Sequence, residues 1–363
     1  MIESAYIHIP FCKSKCKYCS FVSYTRSEEY IEAYIKSLLS EIDKFYRGEN
    51  LKTIYFGGGT PSLLTVKQIE NILHKFIFIP EYCEITMELN PDDVDLKYLK
   101  DLFSAGINRL SIGTQSFDDN ILQIIGRRHT AQQAIDAVDS AQKAGYKNIS
   151  VDLIYGLPEQ TDESLKKDLE IITSLNLQHI STYGLKIEPN SYFYNNLPAN
   201  LPDDDKQADM YLAINDILTL NGYSRYEISN FAKPKYESKH NTNYWNNKEY
   251  YGFGVAAHGY QCGIRYANED NLVKYINYPL ERVSEHYVTA KEKFEEEIFL
   301  GFRKASGINI DKIQRKYNID FEAKYKKVLE KYCPKYITKE DSNYKFTLDG
   351  VLLSNNILAE FLE

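Results

Sequence analysis

Tyr6-Ile7-His8-Ile9-Pro10-Phe11-Cys12-Lys13-Ser14-Lys15-Cys16-Lys17-Tyr18-Cys19 is the stretch whose reading decides the fold. Tyr6–Ile9 is an apolar, β-branched run of the kind that forms a buried strand. Cys12, Cys16 and Cys19 follow it at once, half of the six cysteines in the chain. In a reducing compartment such a cluster points to metal or catalysis rather than to disulfides. A structural zinc wants four closed ligands, commonly from two paired motifs, and no second pair matches this one. Three thiolates on one loop suit three irons of a cubane iron–sulfur cluster, the fourth iron being left open to a ligand. Lys13, Lys15 and Lys17 add positive charge that favours thiolates. Cys83, Cys262 and Cys333 are scattered and read as free thiols.

Working outward, the strand repeats. Further candidates are 53–56, 84–89, 109–112, 148–154 and 179–185, with amphipathic helical patterns at 28–45, 65–74, 96–105, 131–144 and 161–175. Gly145 stands where a helix C-terminal glycine should. Strands alternating with helices predict parallel βαβ units. Six units fit before about residue 190, whereas a closed eight-unit barrel takes about 250 residues, so a partial, open (β/α)6 barrel is expected. Beyond Pro189 the pattern predicts a helix from the acidic Asp203-Asp204-Asp205 start through Leu220, then a strand near 223–228. An aromatic, glycine-rich stretch covers 240–259. From about Ala290 the chain reads as helices and a short hairpin, a winged-helix-like α+β appendage. The expected organisation is therefore 1–200, 201–289 and 290–363.

The 363 residues carry 43 Lys+Arg against 51 Asp+Glu, a formal charge of −8, which argues against a nucleic-acid partner. Hydrophobic residues make up 43% and charged ones 26%, as in ordinary globular chains. Met1-Ile2-Glu3-Ser4 shows no basic and apolar leader, and no run of about 18 apolar residues is present, so a cytoplasmic protein without a membrane span is expected. Tyrosine is abundant at 31, while the single tryptophan is Trp245.

The C-x3-C-x2-C loop after a first strand, followed by Gly57-Gly58-Gly59-Thr60-Pro61 at the end of the second, resembles the radical S-adenosylmethionine superfamily. The words around Tyr6–Cys12 are similar to those of its oxygen-independent coproporphyrinogen III oxidase-like family. That resemblance covers nearly the whole chain and implies a radical-SAM barrel, a [4Fe-4S] cluster on Cys12, Cys16 and Cys19, and S-adenosylmethionine as cosubstrate. By the same resemblance Gly58, Gly59 and Thr60 meet the cosubstrate, as do Glu88, Gln115, Arg127 and Asp152 at successive strand ends. Tyr6 and Tyr18 also match. Such residue types suit an ammonium, ribose hydroxyls and a carboxylate.

Two branches of that family are relevant. The oxidases carry a further cysteine where this chain has Phe21, and a segment ahead of the first strand where only five residues precede Tyr6. The HemW-type heme chaperones carry an HNxxYW motif, which His240-Asn241-Thr242-Asn243-Tyr244-Trp245 matches. The resemblance thus implies a heme chaperone, with heme or a porphyrin as ligand at His240, Tyr244 and Trp245, and an acceptor protein. A neutral imidazole is a good iron ligand and aromatic rings can cover a porphyrin face. His258 is a second candidate contact. The other readings are a coproporphyrinogen III oxidase or dehydrogenase and, as a third class, a zinc module.

Overall fold

The computed structural model describes residues 2–362. Its first half is the expected alternation. Strands β1 (Ser4–Ile9), β2 (Thr53–Gly58), β3 (Glu84–Leu89), β4 (Arg109–Gln115), β5 (Ile149–Tyr155) and β6 (His179–Gly184) pair in parallel in that order. Between them run helices α1 (Ile31–Phe45), α2 (Val66–Leu73), α3 (Leu96–Ser104), α4 (Asp119–Ile124), α5 (Ala131–Ala144) and α6 (Asp162–Ser174). Helix boundaries follow local chemistry. Thr130 and Gln133 form a capping box at the start of α5, and Gly145 closes it at φ 106°.

Alternation along the strands settles which face is which. Ile54, Phe56, Ile85, Met87, Leu110, Ile112, Val151 and Ile180 join the core beneath the helices. Their neighbours, Thr53, Tyr55, Thr86, Glu88, Arg109, Ser111, Asp152 and His179, fall on the other face, where the curved sheet encloses them. The barrel interior is therefore polar. A closed barrel of this size is usually filled by Val, Ile and Leu.

The sheet stays open and reaches nine strands. β7 (Ser224–Arg225) and β8 (Asn230–Ala232) are antiparallel additions beyond β6, and β9 (Tyr251–Phe253) lies parallel to β1 at the opposite edge. The single strand expected near 223–228 is thus two short ones, separated by a turn. The aromatic, glycine-rich stretch resolves into helix α8 (Lys239–Trp245), β9 and an antiparallel hairpin, His258–Gln261 with Ile264–Asn268, to which Arg282–Tyr287 adds; the expected acidic-capped helix, α7, spans Asp204–Leu220. Gly252 in β9 admits no side chain, because a Cβ there would sit 1.9 Å from the His258 carbonyl oxygen. Buried Glu41 of α1 ties this segment down: it accepts from the Gly254 N–H (2.8 Å), Asn268 Nδ2 (2.6 Å) and Tyr275 Oη (2.6 Å).

Residues after Ala290 build a second core around Phe294, Phe302, Phe321, Tyr344 and Phe361. Helices Ala290–Phe302 and Ile310–Tyr317 pack there with a hairpin of Ile337–Glu340 and Asn343–Phe346. Among the described residues no helix is long and apolar enough to cross a membrane.

Candidate functional site

The carboxyl ends of the six parallel strands surround a cavity of about 620 Å³. Cys12, Cys16, Cys19, Tyr18, Gly58, Gly59, Thr60, Glu88, Gln115, Arg127 and Asp152 all line it. Tyr6 sits one layer beneath, its hydroxyl 2.9 Å from His8 Nδ1 and its ring stacked on Tyr55. A barrel mouth is where side chains from separate strand ends converge, and here the convergence includes the cysteine loop.

That loop is held at several points. Phe11–Cys12 pairs with Tyr24–Thr25, and the Lys17 N–H donates to the Ile125 carbonyl (2.9 Å). His8 Nε2 reaches the Val22 carbonyl (2.8 Å). Burial lowers the His8 pKa to about 4, so the ring is neutral and donates there. The ring occupies the space that a side chain on Gly58 would need, 2.5 Å from a Cβ, and Gly58 has φ 109°. A Cβ on Gly59 would sit 2.8 Å and 2.9 Å from the Phe11 and Ile9 carbonyl oxygens. The glycine run is there because the chain leading to Cys12 packs directly against it. Lys13 pairs with Asp93 (2.7 Å), which Arg128 also holds (3.0 Å), fastening the loop to the end of β3.

Two of the thiols receive a donor from outside the cysteine loop. Thr60 Oγ1 donates to Cys12 Sγ (3.4 Å) and Arg127 Nη1 to Cys16 Sγ (3.4 Å). Burial pushes the Cys12 thiol up and the Cys19 thiol up to about 11, so thiolates here need added positive charge. Arg127 Nε is buried without a partner. Among the described residues no three His, Cys, Asp or Glu side chains gather tightly enough for a single metal ion. The spread thiols and their sulfur-directed donors fit a cluster with one iron per thiolate better than one zinc.

Opposite the cysteines stand two carboxyl groups. Glu88 accepts from Tyr55 Oη (2.8 Å) and the Gly58 N–H (3.2 Å); burial, opposed by those bonds and reinforced by Asp152, raises its pKa to about 7. Burial also raises Asp152, which accepts from Ser111 Oγ (3.2 Å). Gln115 enters the cavity from a β-bulge at the end of β4, at φ 67°. A bulge re-aims the side chain that follows it. Asp168 pins the next turn, accepting from Ser116 Oγ (2.8 Å) and the Phe117 N–H (2.7 Å).

Residues 6–172 match the Radical SAM superfamily and residues 288–353 the HemN C-terminal domain. The solved structure of coproporphyrinogen III oxidase (HemN) from Escherichia coli, described as a radical SAM enzyme, superposes with a TM-score of 0.87 at 22% identity. It covers 99% of this chain and 90% of that one, a likeness of fold. Among curated proteins, the heme chaperone HemW of Lactococcus lactis is 42% identical over 99% of this chain and 97% of its own length. The heme chaperone HemW of Bacillus subtilis is 38% identical over 99% of each. The chain belongs to the HemW family.

The HNxxYW residues of this HemW-family chain lie away from the cavity just described. They form α8, which packs against the amino ends of the strands. Ser238 caps it, accepting from the Asn241 N–H (3.3 Å), and Glu84 of β3 accepts from the Lys239 (3.3 Å) and His240 (3.2 Å) N–H groups. An acid at a helix amino end is favourably placed. His240 is 1% exposed; its Nδ1 meets Thr53 Oγ1 (2.8 Å), its Nε2 meets Tyr244 Oη (2.8 Å), and its ring stacks on Tyr55. Burial, helped by Arg109, lowers its pKa to about 3. Both ring nitrogens are hydrogen-bonded within the core. Trp245 is half-buried at the surface end of the helix, and His258 is exposed on the hairpin.

Sequence reasoning missed Arg109, Asp168 and Glu84. Each is a charged residue inside an otherwise β-branched or helical pattern, and that mismatch was the available signal.

Proposed function

We propose that the chain is a heme chaperone that carries one [4Fe-4S] cluster, binds S-adenosylmethionine beside it, and passes heme to an acceptor protein. The observation that carries this is the near full-length identity to proteins named heme chaperone HemW. Residues 1–200 hold the cluster and cosubstrate, 201–289 carry the heme motif, and 290–363 flank it.

Cys12, Cys16 and Cys19 hold three irons; Thr60 and Arg127 steady two of the sulfurs. When bound, the cluster supplies an open iron and one-electron chemistry. The backbone at Gly58 and Gly59, the Gln115 amide, and the Glu88 and Asp152 carboxylates receive the polar groups of the cosubstrate. Tyr6 and Tyr18 shape the cavity around them. Heme rests against the Tyr244–Trp245 end of α8. His240 serves there as a positioning residue, bracing the helix through Thr53 and Tyr244. Phe21, 65% exposed at the lip of the mouth, leaves this end open, whereas radical decarboxylation is favoured by an enclosed site.

Reconstituted protein should bind heme stoichiometrically and convert coproporphyrinogen III slowly or not at all. His240→Ala should weaken heme binding severalfold with the iron–sulfur content unchanged, and His240→Gln, which keeps a hydrogen bond, should recover most of it. Brisk formation of protoporphyrinogen IX with an electron donor would replace the chaperone by an oxidase. Loss of binding in His240→Gln equal to that in His240→Ala, with a changed heme absorption band, would make His240 an iron ligand.

The cosubstrate site should also show a pH dependence. With a pKa of about 7, Glu88 is ionised only above that pH, and only the carboxylate attracts a cation. The dissociation constant for S-adenosylmethionine, measured by calorimetry, should fall by up to about tenfold from pH 6 to pH 8. Glu88→Gln should flatten the profile. An unchanged slope in that variant would assign the titration to another group.

A further inference from the structure

The polar interior of the barrel joins its two ends through one side chain. Tyr55, the third residue of β2, donates from its hydroxyl to Glu88 Oε1 (2.8 Å) in the cysteine-bearing cavity. Its ring stacks on His240 of α8 at the opposite end, centroids 4.9 Å apart and planes at 27°. Tyr6 stacks on the same ring (6.2 Å, 28°). The contact continues into the helix: His240 Nε2 meets Tyr244 Oη one turn on (2.8 Å), and Trp245 is the next residue.

Glu88 is surrounded from every side. Asp152 of β5 and Arg109 of β4 act on it, as do Tyr6 of β1, Tyr183 of β6 and Tyr244 of α8. Among the described residues only Tyr55 gives it a side-chain hydrogen bond. A hydroxyl bonded to a carboxylate makes a shorter and stronger bond than one bonded to a neutral acid. The state of Glu88 therefore sets how tightly the Tyr55 hydroxyl is drawn toward the mouth. Hydroxyl and ring move as one plane, and a close-packed interior transmits the displacement.

We infer that Tyr55 is a positioning residue that couples the cosubstrate site to α8: it holds the Glu88 carboxylate for its ligand and relays the state of that carboxylate through its ring to His240 and the helix. The first half rests on the cosubstrate reading of the cavity. The second needs only that Glu88 change its charge. Coupling of this kind is reciprocal, so α8 bears equally on the mouth.

The single tryptophan lies in α8 and makes the helix readable. Fluorescence of Trp245 in the full chain, followed from pH 6 to pH 8 without cosubstrate, should show a step with its midpoint at about 7. His240, lowered to about 3 by burial, stays neutral throughout. Buried Glu41, raised to about 7, titrates in the same range, so the step is the difference between wild type and Glu88→Gln. Tyr55→Phe, which keeps the ring and removes the hydroxyl, should shrink it severalfold. The hydroxyl favours the carboxylate, so its loss should move the pH midpoint of S-adenosylmethionine binding up by about one unit. That weakens binding about fivefold at pH 7. An unchanged midpoint in Tyr55→Phe would overturn the positioning role. A step of wild-type size in Tyr55→Phe, or one that survives in Glu88→Gln, would overturn the coupling. If wild type binds no S-adenosylmethionine, the cosubstrate reading fails with the positioning role, and the ligand-free step alone decides the coupling.

Discussion

Serine at Cys12, Cys16 or Cys19 removes most of the iron that the wild-type chain takes up on anaerobic reconstitution, expected at about four irons per chain. The three thiols lie round one cavity, and burial raises the pKa of two of them, Cys12 and Cys19. A serine hydroxyl in the same place neither ionises nor binds iron comparably. Thr60, just after β2, and Arg127, just after α4, reach Cys12 and Cys16 from outside the loop, so the loop should keep its shape in each variant. Iron and sulfide assays with the 400 nm absorption band measure the loss, and Cys83→Ser, a buried thiol away from the cavity, is the control. Full iron retention in the triple variant would remove the cluster assignment. One tight zinc per chain in its place would restore the third reading.

Arg109→Met is expected to destabilise the barrel interior by about 1–3 kcal/mol in denaturant unfolding, because buried acids lose a nearby counter-charge. Arg109 is 2% exposed in β4, and its charge acts on Glu88, Asp152, Tyr226, His179 and His240 at once. Burial raises the acids and keeps the histidines neutral; Arg109 opposes the first effect and adds to the second. Without it, Glu88 and Asp152 lose a buried counter-charge and their pKa values rise further. A methionine fills a similar volume, so the loss reports the charge rather than a hole. The cosubstrate affinity should fall in parallel, with the midpoint of its pH profile displaced upward. A cost below about 1 kcal/mol would mean that interior water, not Arg109, compensates these acids.

Much of the frame is legible because it is local. Strand and helix periodicity, the Thr130–Gln133 cap and Gly145 each declare themselves within a few residues. β9 could not be read in that way. It is three residues long, contains a glycine, and exists because β1 offers a free edge and the His258 carbonyl needs a neighbour without a side chain. The split at 223–232 is similar, since each piece is stabilised by pairing with β6 or its own return strand rather than by its composition.

For the site, spacing alone brought out the cysteine triplet, since ligands on one loop carry their geometry with them, and the glycine run was read through its likeness to the family. Family likeness then located Glu88, Gln115, Arg127 and Asp152, and the fold gathers them about one cavity. The sequence by itself therefore determined the fold class and the cysteine-bearing mouth. Only the tertiary structure decided what lies inside the barrel and beneath it. A histidine followed by aromatics reads the same whether it faces a ligand or a threonine in the core. Thr53, 187 residues away, is what occupies the Nδ1 of His240 with a hydrogen bond. Hydrogen-bond partners that distant leave no periodic trace in the chain, and burial, which sets the charge of Glu88 and His240, is a property of everything packed around them.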